Sequence, residues 1–279
     1  MDIVAQHIAQ ALAEDIGEGD HTSRATIPED AIGKMKLLVK EDGIIAGIEI
    51  AKKVFNAVDN EIVFNEFISD GDEIKKGDIV FIVTGNCRSM LIAERTMLNY
   101  MQRMSGIATV THAYIKQLAG TNTRLLDTRK TTPNMRIFEK MAVAIGGGKN
   151  HRMGLYDMVM IKDNHVDFAG GIKQAIIAEN EYLKKLGKKL KIEIEVRNFT
   201  ELEEVLNCGS VHRIMLDNFT PQDLKKAVKM IQGRYETEAS GGINLTNIRE
   251  YALTGVDFIS VGAVTHHIRS LDLSLKAIE

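Results

Sequence analysis

The chain has 279 residues, with 44% hydrophobic and 26% charged side chains and a formal net charge of −3 at pH 7. This length and balance allow a full buried core, in one large domain or two smaller ones. The slight acidity argues against a nucleic-acid-binding surface, no segment approaches the apolar length of a membrane span, and the acids of MDIVAQHIAQALAEDIGEGD stand where a signal peptide needs cations. Two cysteines, Cys87 and Cys208, lack metal-ligand spacing, and the eight histidines form no HExxH or Cys/His cluster. Reduced thiols in a cytoplasmic protein are expected, and a structural zinc site is not.

In chain order, Val4, Ile8, Leu12 and Ile16 fall at helical spacing, with Gly17 as a stop. Short strands are predicted at Lys36–Val39, Gly43–Ala46, Glu61–Phe64 and Asp78–Val83, separated by Asp42-Gly43, Asp70-Gly71 and Lys76-Gly77-Asp78 turns. Residues 89–104 form the next helix candidate. Met97, Met101, Met104 and Ala108 make its apolar stripe, while Arg95, Asn99 and Arg103 share another face. These elements suggest a small α+β domain over residues 1–105.

From residue 121 the pattern alternates strand and helix. Strand candidates are Arg124–Leu126, Met158–Ile161, Ile192–Val196, Arg213–Leu216, Tyr235–Glu238 and Phe258–Val261. Thr200 with Glu203, Thr220 before Pro221, and Asn244 with Gly255 supply helix boundaries. Such alternation implies parallel strands with helical crossovers. Each strand ends in a polar, charged or Gly-rich signature: Asp127-Thr128-Arg129-Lys130, Lys162-Asp163-Asn164, Glu195, Asp217-Asn218, Ser240-Gly241-Gly242 and Gly262-Ala263. An α/β barrel with its active site at one rim has this pattern, and its last two loops commonly hold a phosphate. A complete barrel has eight strands, so this one is open or incomplete, or two strands hide in 105–120 and 140–150.

The stretch from Asp127 to His165 concentrates cations around Gly146-Gly147-Gly148, including Arg129, Lys130, Arg152 and Lys162 with His151. On a net-negative chain this points to one site for a multiply charged anion. The rim offers carboxylates (Glu195, Asp217), cations and phosphate-type loops. Three chemistries fit: group transfer between anionic substrates, one of them phosphorylated; Schiff-base chemistry on Lys162, which ends a strand; and a non-catalytic phosphate-ligand sensor.

The chain resembles the quinolinate phosphoribosyltransferases over nearly its whole length. The likeness rests on EDIGEGDHTS at 14–23, ERTMLNYMQRMSGIAT at 94–109, DTRKTTP at 127–133, GGGKNHRMGLYDMVMIKDNH at 146–165, EIEV at 193–196, LDN at 216–218, EASGGI at 238–243 and VGAVTH at 261–266. The PRPP motif of other phosphoribosyltransferases, two acids then a Thr-Gly loop, is absent, so it is the resemblance that brings in PRPP. It implies an N-terminal α+β sandwich domain (1–105, with the 268–279 tail packing on it) and an open, TIM-like α/β barrel (106–267). It implies transfer of the phosphoribosyl group of PRPP to quinolinate with decarboxylation, in a cytoplasmic homo-oligomer, dimer or hexamer. Lys130, Lys162, Glu195 and Asp217 would be catalytic. Thr128, Arg129, Lys130, His151, Arg152 and Lys162 would surround the quinolinate carboxylates and the pyrophosphate, and Arg95 would reach the pocket from the neighbouring subunit. Glu195 and Asp217 would hold the ribose hydroxyls and Mg²⁺, and Ser240-Gly241-Gly242 with Val261-Gly262-Ala263 the 5′-phosphate. A molybdate-transport-associated relative of the same fold and a Schiff-base lyase using Lys162 are the alternatives. One departure is Asn134, where the family pattern leads one to expect Gly after Thr-Thr-Pro; Asn tolerates a left-handed backbone best after Gly.

Overall fold

Val4, Ile8 and Leu12 bury one side of the first helix in the computed structural model, which describes residues 2–278. The chain divides into two units. One comprises Met1–His112, Thr132–Gly147 and His267–Glu279, the other Ala113–Thr131 and Gly148–His266. The boundary suggested near residue 105 thus lies inside a helix.

In the first unit, α1 (Ile3–Ile16) is capped by Asp2, whose carboxylate accepts the Val4 N–H, and stops at Gly17 with φ +51°. α2 (His21–Thr26) is capped likewise by Asp20. Then come β1 (Ile32–Val39), β2 (Gly43–Ile44), α3 (Ile48–Val58), β3 (Val63–Glu66), β4 (Glu73–Ile74), β5 (Ile79–Asn86) and α4 (Cys87–Gln117). The predicted strands are present with shifted ends: β1 begins at Ile32 rather than Lys36, β3 at Val63 rather than Glu61, and β2 stops at Ile44. α3 is absent from the sequence expectations, although Ile48, Ala51, Val54 and Phe55 recur at helical spacing and are buried. α4 outruns its expected end at residue 104. Gly106 does not stop it, because glycine is there for packing: a Cβ would lie 2.3 Å from the Arg269 carbonyl oxygen. The helix therefore fills most of 105–120, leaving no strand there.

The second unit holds β6 (Arg124–Leu126). After α5 (Arg136–Ile145), which belongs to the first unit, follow β7 (Val159–Ile161), α6 (Asp163–Ala169), α7 (Ile172–Leu186) and β8 (Ile192–Val196). α8 (Phe199–Cys208), β9 (Arg213–Asp217), α9 (Pro221–Ile231), β10 (Glu236–Ser240), α10 (Ile248–Ala252), β11 (Phe258–Ser260) and α11 (Ala263–His266) complete it. The six strands form one parallel sheet in the order β6-β11-β10-β9-β8-β7. Consecutive strands neighbour one another from β7 to β11, and β6 lies beside β11, so the sheet winds round as an open barrel. No strand occupies 140–150, because α5 runs to Ile145; a single parallel bridge, Leu126 to Lys149, starts what would be the next strand beside β6. Finally β12 (Leu273–Ile278) pairs antiparallel with β1, giving the first unit's sheet the order β12-β1-β5-β3.

Two helix starts differ from expectation. α8 is capped by Asn198, whose side chain accepts the Glu201 N–H at 3.0 Å, rather than by Thr200 and Glu203. Asn244 closes a turn onto Thr246 N–H, and α10 begins only after Asn247. Thr220 and Pro221 start α9 as expected.

Candidate active site

Strand alternation decides which side chains reach the barrel interior. Along β8, Glu193 and Glu195 share one face and Ile192, Ile194 and Val196 the other, all of them buried. The carboxyl ends of the strands surround a cavity of about 710 Å³ in the second unit. Each predicted site residue except Arg95 lines it. The turn after β6 contributes Thr128, Arg129 and Lys130; the chain after the Lys149 bridge contributes His151 and Arg152; the residue after β7 is Lys162, and β8 and β9 contribute Glu195 and Asp217. The loops after β10 and β11 contribute Ser240, Gly241 and Gly242, and Val261, Gly262 and Ala263. Arg95 stands exposed on α4 in the other unit and is not part of this lining.

Local bonds explain these placements. The Thr128 hydroxyl accepts the Lys130 N–H at 3.0 Å, and the Lys130 carbonyl accepts the Thr265 hydroxyl at 2.8 Å, so the cationic turn is fixed to the start of α11. A Cβ on Gly262 would come 3.0 Å from Lys130 Cδ and 2.9 Å from His266 Nε2. Any larger residue there would have to displace the Lys130 and His266 side chains from the rim. Gly241 is held the same way: its φ is +93°, and a Cβ would lie 2.2 Å from Asn218 Oδ1. Asn218, itself left-handed, donates to Asp217 Oδ2 at 2.6 Å, while its N–H donates to the Ser240 carbonyl at 2.8 Å.

Charge is concentrated on the walls. Lys162 Nζ lies 3.0 Å from Glu195 Oε2; the lysine side chain is 46% exposed and the glutamate 8%. This pairing is not the apolar isolation that a Schiff-base lysine needs. Burial and the neighbouring Arg129 charge push the Arg152 guanidinium below its usual range, outweighing the opposing pull of Glu193 and Asp157. Arg152 Nη1 donates to the Met158 carbonyl at 3.2 Å.

At and beneath the floor lies a group of charges of which the sequence reading singles out only His151. His151 Nε2 is 2.9 Å from Glu193 Oε2 and 3.4 Å from Glu238 Oε2. Arg213 Nη1 is 2.9 Å from Glu238 and 4.0 Å from Glu193, and its Nη2 is 3.1 Å from Glu236. The Arg213 guanidinium also stacks over Phe258, 4.1 Å from the ring centroid. Glu193 and Glu238 have no solvent exposure. Burial disfavours a charged His151, but the two carboxylates outweigh it and raise its pKa to about 9. Burial and the Glu238 charge raise Glu193 to about 7. Yet Nδ1 of His151 accepts the Arg152 backbone N–H at 2.6 Å, so in this geometry the ring carries its proton on Nε2 alone. A further proton belongs to the His151–Glu193 pair as a unit. The sequence carries only half of the signal, Ile-Glu-Ile-Glu-Val with two acids on one face; that this face is buried is seen only in the closed sheet.

Two family models together match most of the chain, quinolinate phosphoribosyl transferase, N-terminal domain, over residues 20–105 and its C-terminal domain over residues 107–276. A curated relative from Nicotiana tabacum, quinolinate phosphoribosyltransferase (decarboxylating) 1b, is 46% identical over 96% of this chain and 81% of its own length. A Bacillus subtilis protein named probable nicotinate-nucleotide pyrophosphorylase (carboxylating) is 39% identical over 94% of this chain and 89% of its own. Among solved structures, the nicotinate-nucleotide pyrophosphorylase from Francisella tularensis superposes with a TM-score of 0.92 at 42% identity, covering 99% of this chain and 96% of that one.

Proposed function

Because the chain belongs to the quinolinate phosphoribosyltransferase family, we infer that it transfers the phosphoribosyl group of PRPP to quinolinate. The products are nicotinate mononucleotide, pyrophosphate and CO₂, a step of NAD synthesis. The observation that carries the detailed reading is one cavity whose wall brings together Arg129, Lys130, Arg152 and Lys162, the carboxylates of Glu195 and Asp217, and two glycine-containing loops. The molybdate-transport relative and the Schiff-base lyase are set aside, since the curated relatives across nearly the whole chain bear the transferase name.

Quinolinate carries two adjacent carboxylates. Arg129 and Arg152 present forked donors that match them, with Lys130 and Lys162 adding point charge. The pyridine nitrogen attacks C1 of the ribose, the C1–O bond to pyrophosphate breaks, and its electron pair leaves on the pyrophosphate oxygen. Positive charge builds on the sugar, for which Glu195 and Asp217 offer carboxylates, and negative charge on the leaving group, for which Lys130 and Lys162 offer ammonium groups. The pyridinium so formed then accepts the electron pair of the C2–carboxylate bond as CO₂ departs, and C2 takes a proton. Ser240-Gly241-Gly242 and Val261-Gly262-Ala263 fit the 5′-phosphate, because their backbone can approach it without Cβ atoms at the glycines.

For the metal, Glu195 and Asp217 at the ends of neighbouring strands form an all-oxygen donor pair of the kind Mg²⁺ takes together with substrate oxygens. When bound it would neutralise charge on the pyrophosphate. Arg95, exposed on α4 and outside the cavity lining, is proposed to complete a neighbouring subunit's site in a homo-oligomer. If Arg95→Ala and Lys130→Ala proteins are each inactive, refolding them together should make about half the dimers hybrids and restore about a quarter of all sites. An inactive mixture containing verified hybrids would keep Arg95 in its own chain. No helix among the described residues is long and apolar enough to cross a membrane; the cytoplasm is the compartment we propose, in keeping with two free cysteines.

The test is direct. Purified protein with PRPP, Mg²⁺ and quinolinate should release CO₂ and form nicotinate mononucleotide. Nicotinate, lacking one carboxylate, should lose about 1.5–3 kcal/mol of charge-assisted contact, so its kcat/KM should be lower by roughly ten- to hundredfold. Equal kcat/KM for the two acids would overturn the assignment of the cationic wall.

A further inference from the structure

Glu193 is buried, contributes nothing to the cavity wall, and is left out of the chemistry above. Its companion Glu238 has an evident counter-charge, since Arg213 Nη1 sits 2.9 Å from it. The remaining donors of that arginine turn to Glu236. Glu193 is 4.0 Å from Arg213, beyond hydrogen-bonding distance, and 2.9 Å from His151 Nε2. A buried carboxylate is costly unless its partner is well placed, and the nearest charged partner of Glu193 is His151.

His151 is tied at three points. Its Nε2 makes a 2.9 Å charge contact with Glu193 Oε2 that is not aligned as a hydrogen bond, its Nδ1 accepts the Arg152 backbone N–H at 2.6 Å, and its own N–H donates to Asp127 Oδ1 at 2.8 Å. Both ring nitrogens are thus directed at protein groups, and the side chain is 4% exposed. This ring is placed to hold its neighbour. Arg152 follows it directly, and its guanidinium is on the cavity wall.

We propose that Glu193 is a positioning residue: it fixes the His151 ring by Nε2, the ring braces the Arg152 backbone by Nδ1, and the Arg152 guanidinium is thereby aimed at the quinolinate carboxylates. The proposal rests on the transferase reading for the identity of the substrate. Glu238 lies closest to Arg213, at 2.9 Å, and farther from His151 Nε2, at 3.4 Å.

The experiment compares wild type with Glu193→Asp, Glu193→Gln, Arg152→Ala and the Glu193→Asp/Arg152→Ala double variant, each checked for a cooperative melt. Aspartate keeps the charge but withdraws the carboxylate by one methylene. It should raise the quinolinate KM roughly tenfold, the size of one charge-assisted bond, while the PRPP KM stays within about twofold. Glutamine still offers an oxygen to the Nε2–H and should stay within about threefold of wild type in both. The double variant should be no worse than Arg152→Ala alone, because the two residues act through one contact. A role confined to stability predicts equal changes in both KM values and additive effects with Arg152→Ala; either result overturns the proposal, as does an unchanged quinolinate KM in Glu193→Asp. If that variant does not melt cooperatively, Glu193→Gln decides. Its quinolinate KM within about threefold of wild type then supports the tie, and a larger rise in PRPP KM than in quinolinate KM sinks it. Failure of the wild type to convert quinolinate and PRPP would instead overturn the transferase reading itself.

Discussion

The two sheets of this chain fill their inward faces with opposite materials. In the first unit, Met35, Leu37 and Val39 of β1 and Val80, Phe81 and Val83 of β5 are buried, and Phe81 packs on Phe64 and edge-on to Phe55. In the second, the corresponding interior holds Glu193, Arg213 and Glu238, with Glu195 and Lys162 above them. A parallel sheet wrapped in helices explains how this is tolerated. Ile192, Ile194, Val196, Ile214, Leu216, Ala239 and Ile259 are also buried, so the outer face of the barrel strands supplies the hydrophobic burial. The inner face is then left for chemistry. An antiparallel sheet with only one buried face has no such spare surface.

The largest effect should separate the two interiors. Phe81→Ala removes a fully buried ring from an aromatic cluster and should cost about 3–5 kcal/mol of stability. The kcat/KM of the folded fraction should not change, since Phe81 lines no part of the cavity. A denaturation series with parallel initial rates checks both halves. Loss of activity without loss of stability would mean that the apolar sheet is not merely scaffold.

Next in size is the buried pair. Arg213→Met leaves Glu238 without its 2.9 Å partner and should destabilise by about 3 kcal/mol, because an uncompensated buried charge remains. Adding Glu238→Leu should restore stability to within about 1 kcal/mol of wild type, or above it, since a well-packed apolar pair commonly does as well as an ionic one. Activity should not return with stability, because Glu238 lies in the cavity floor beside His151. If stability stays low in the double variant, the charges themselves hold the barrel together, and the contrast between the two interiors is one of composition only.

What could be read from the sequence follows the same division. Strand ends of the barrel were legible because their polar signatures break apolar runs, and fourteen of the predicted site residues do meet in one cavity. Glu193 and Glu238 were not, because an acid between apolar neighbours reads equally as solvent-facing; only the closed sheet shows that both faces are buried. Likewise the glycine at 106, inside α4, is required by the Arg269 carbonyl, which packs over it from far along the chain. Contacts remote in sequence decide both cases, and periodicity carries no information about them.

The smallest prediction concerns Asn134, where the family pattern suggests glycine. Its φ is +63°, the left-handed region, in the turn that leads to Met135 and α5. For most side chains this conformation crowds Cβ against the backbone at about 1–2 kcal/mol, and asparagine tolerates it better than any residue except glycine. Asn134→Ala should therefore cost about 1 kcal/mol, a fall in melting temperature of about 2–4 °C for a chain of this size. Asn134→Gly removes the crowding but frees the unfolded chain, and the two effects oppose each other, leaving a net change of a few tenths of a kcal/mol. Asn134 is exposed, so neither variant opens a cavity in the apolar core. Equal melting temperatures for the alanine and glycine variants would mean that the backbone at 134 relaxes out of the left-handed region at no cost. The asparagine would then be a chance occupant rather than the substitute that keeps the turn.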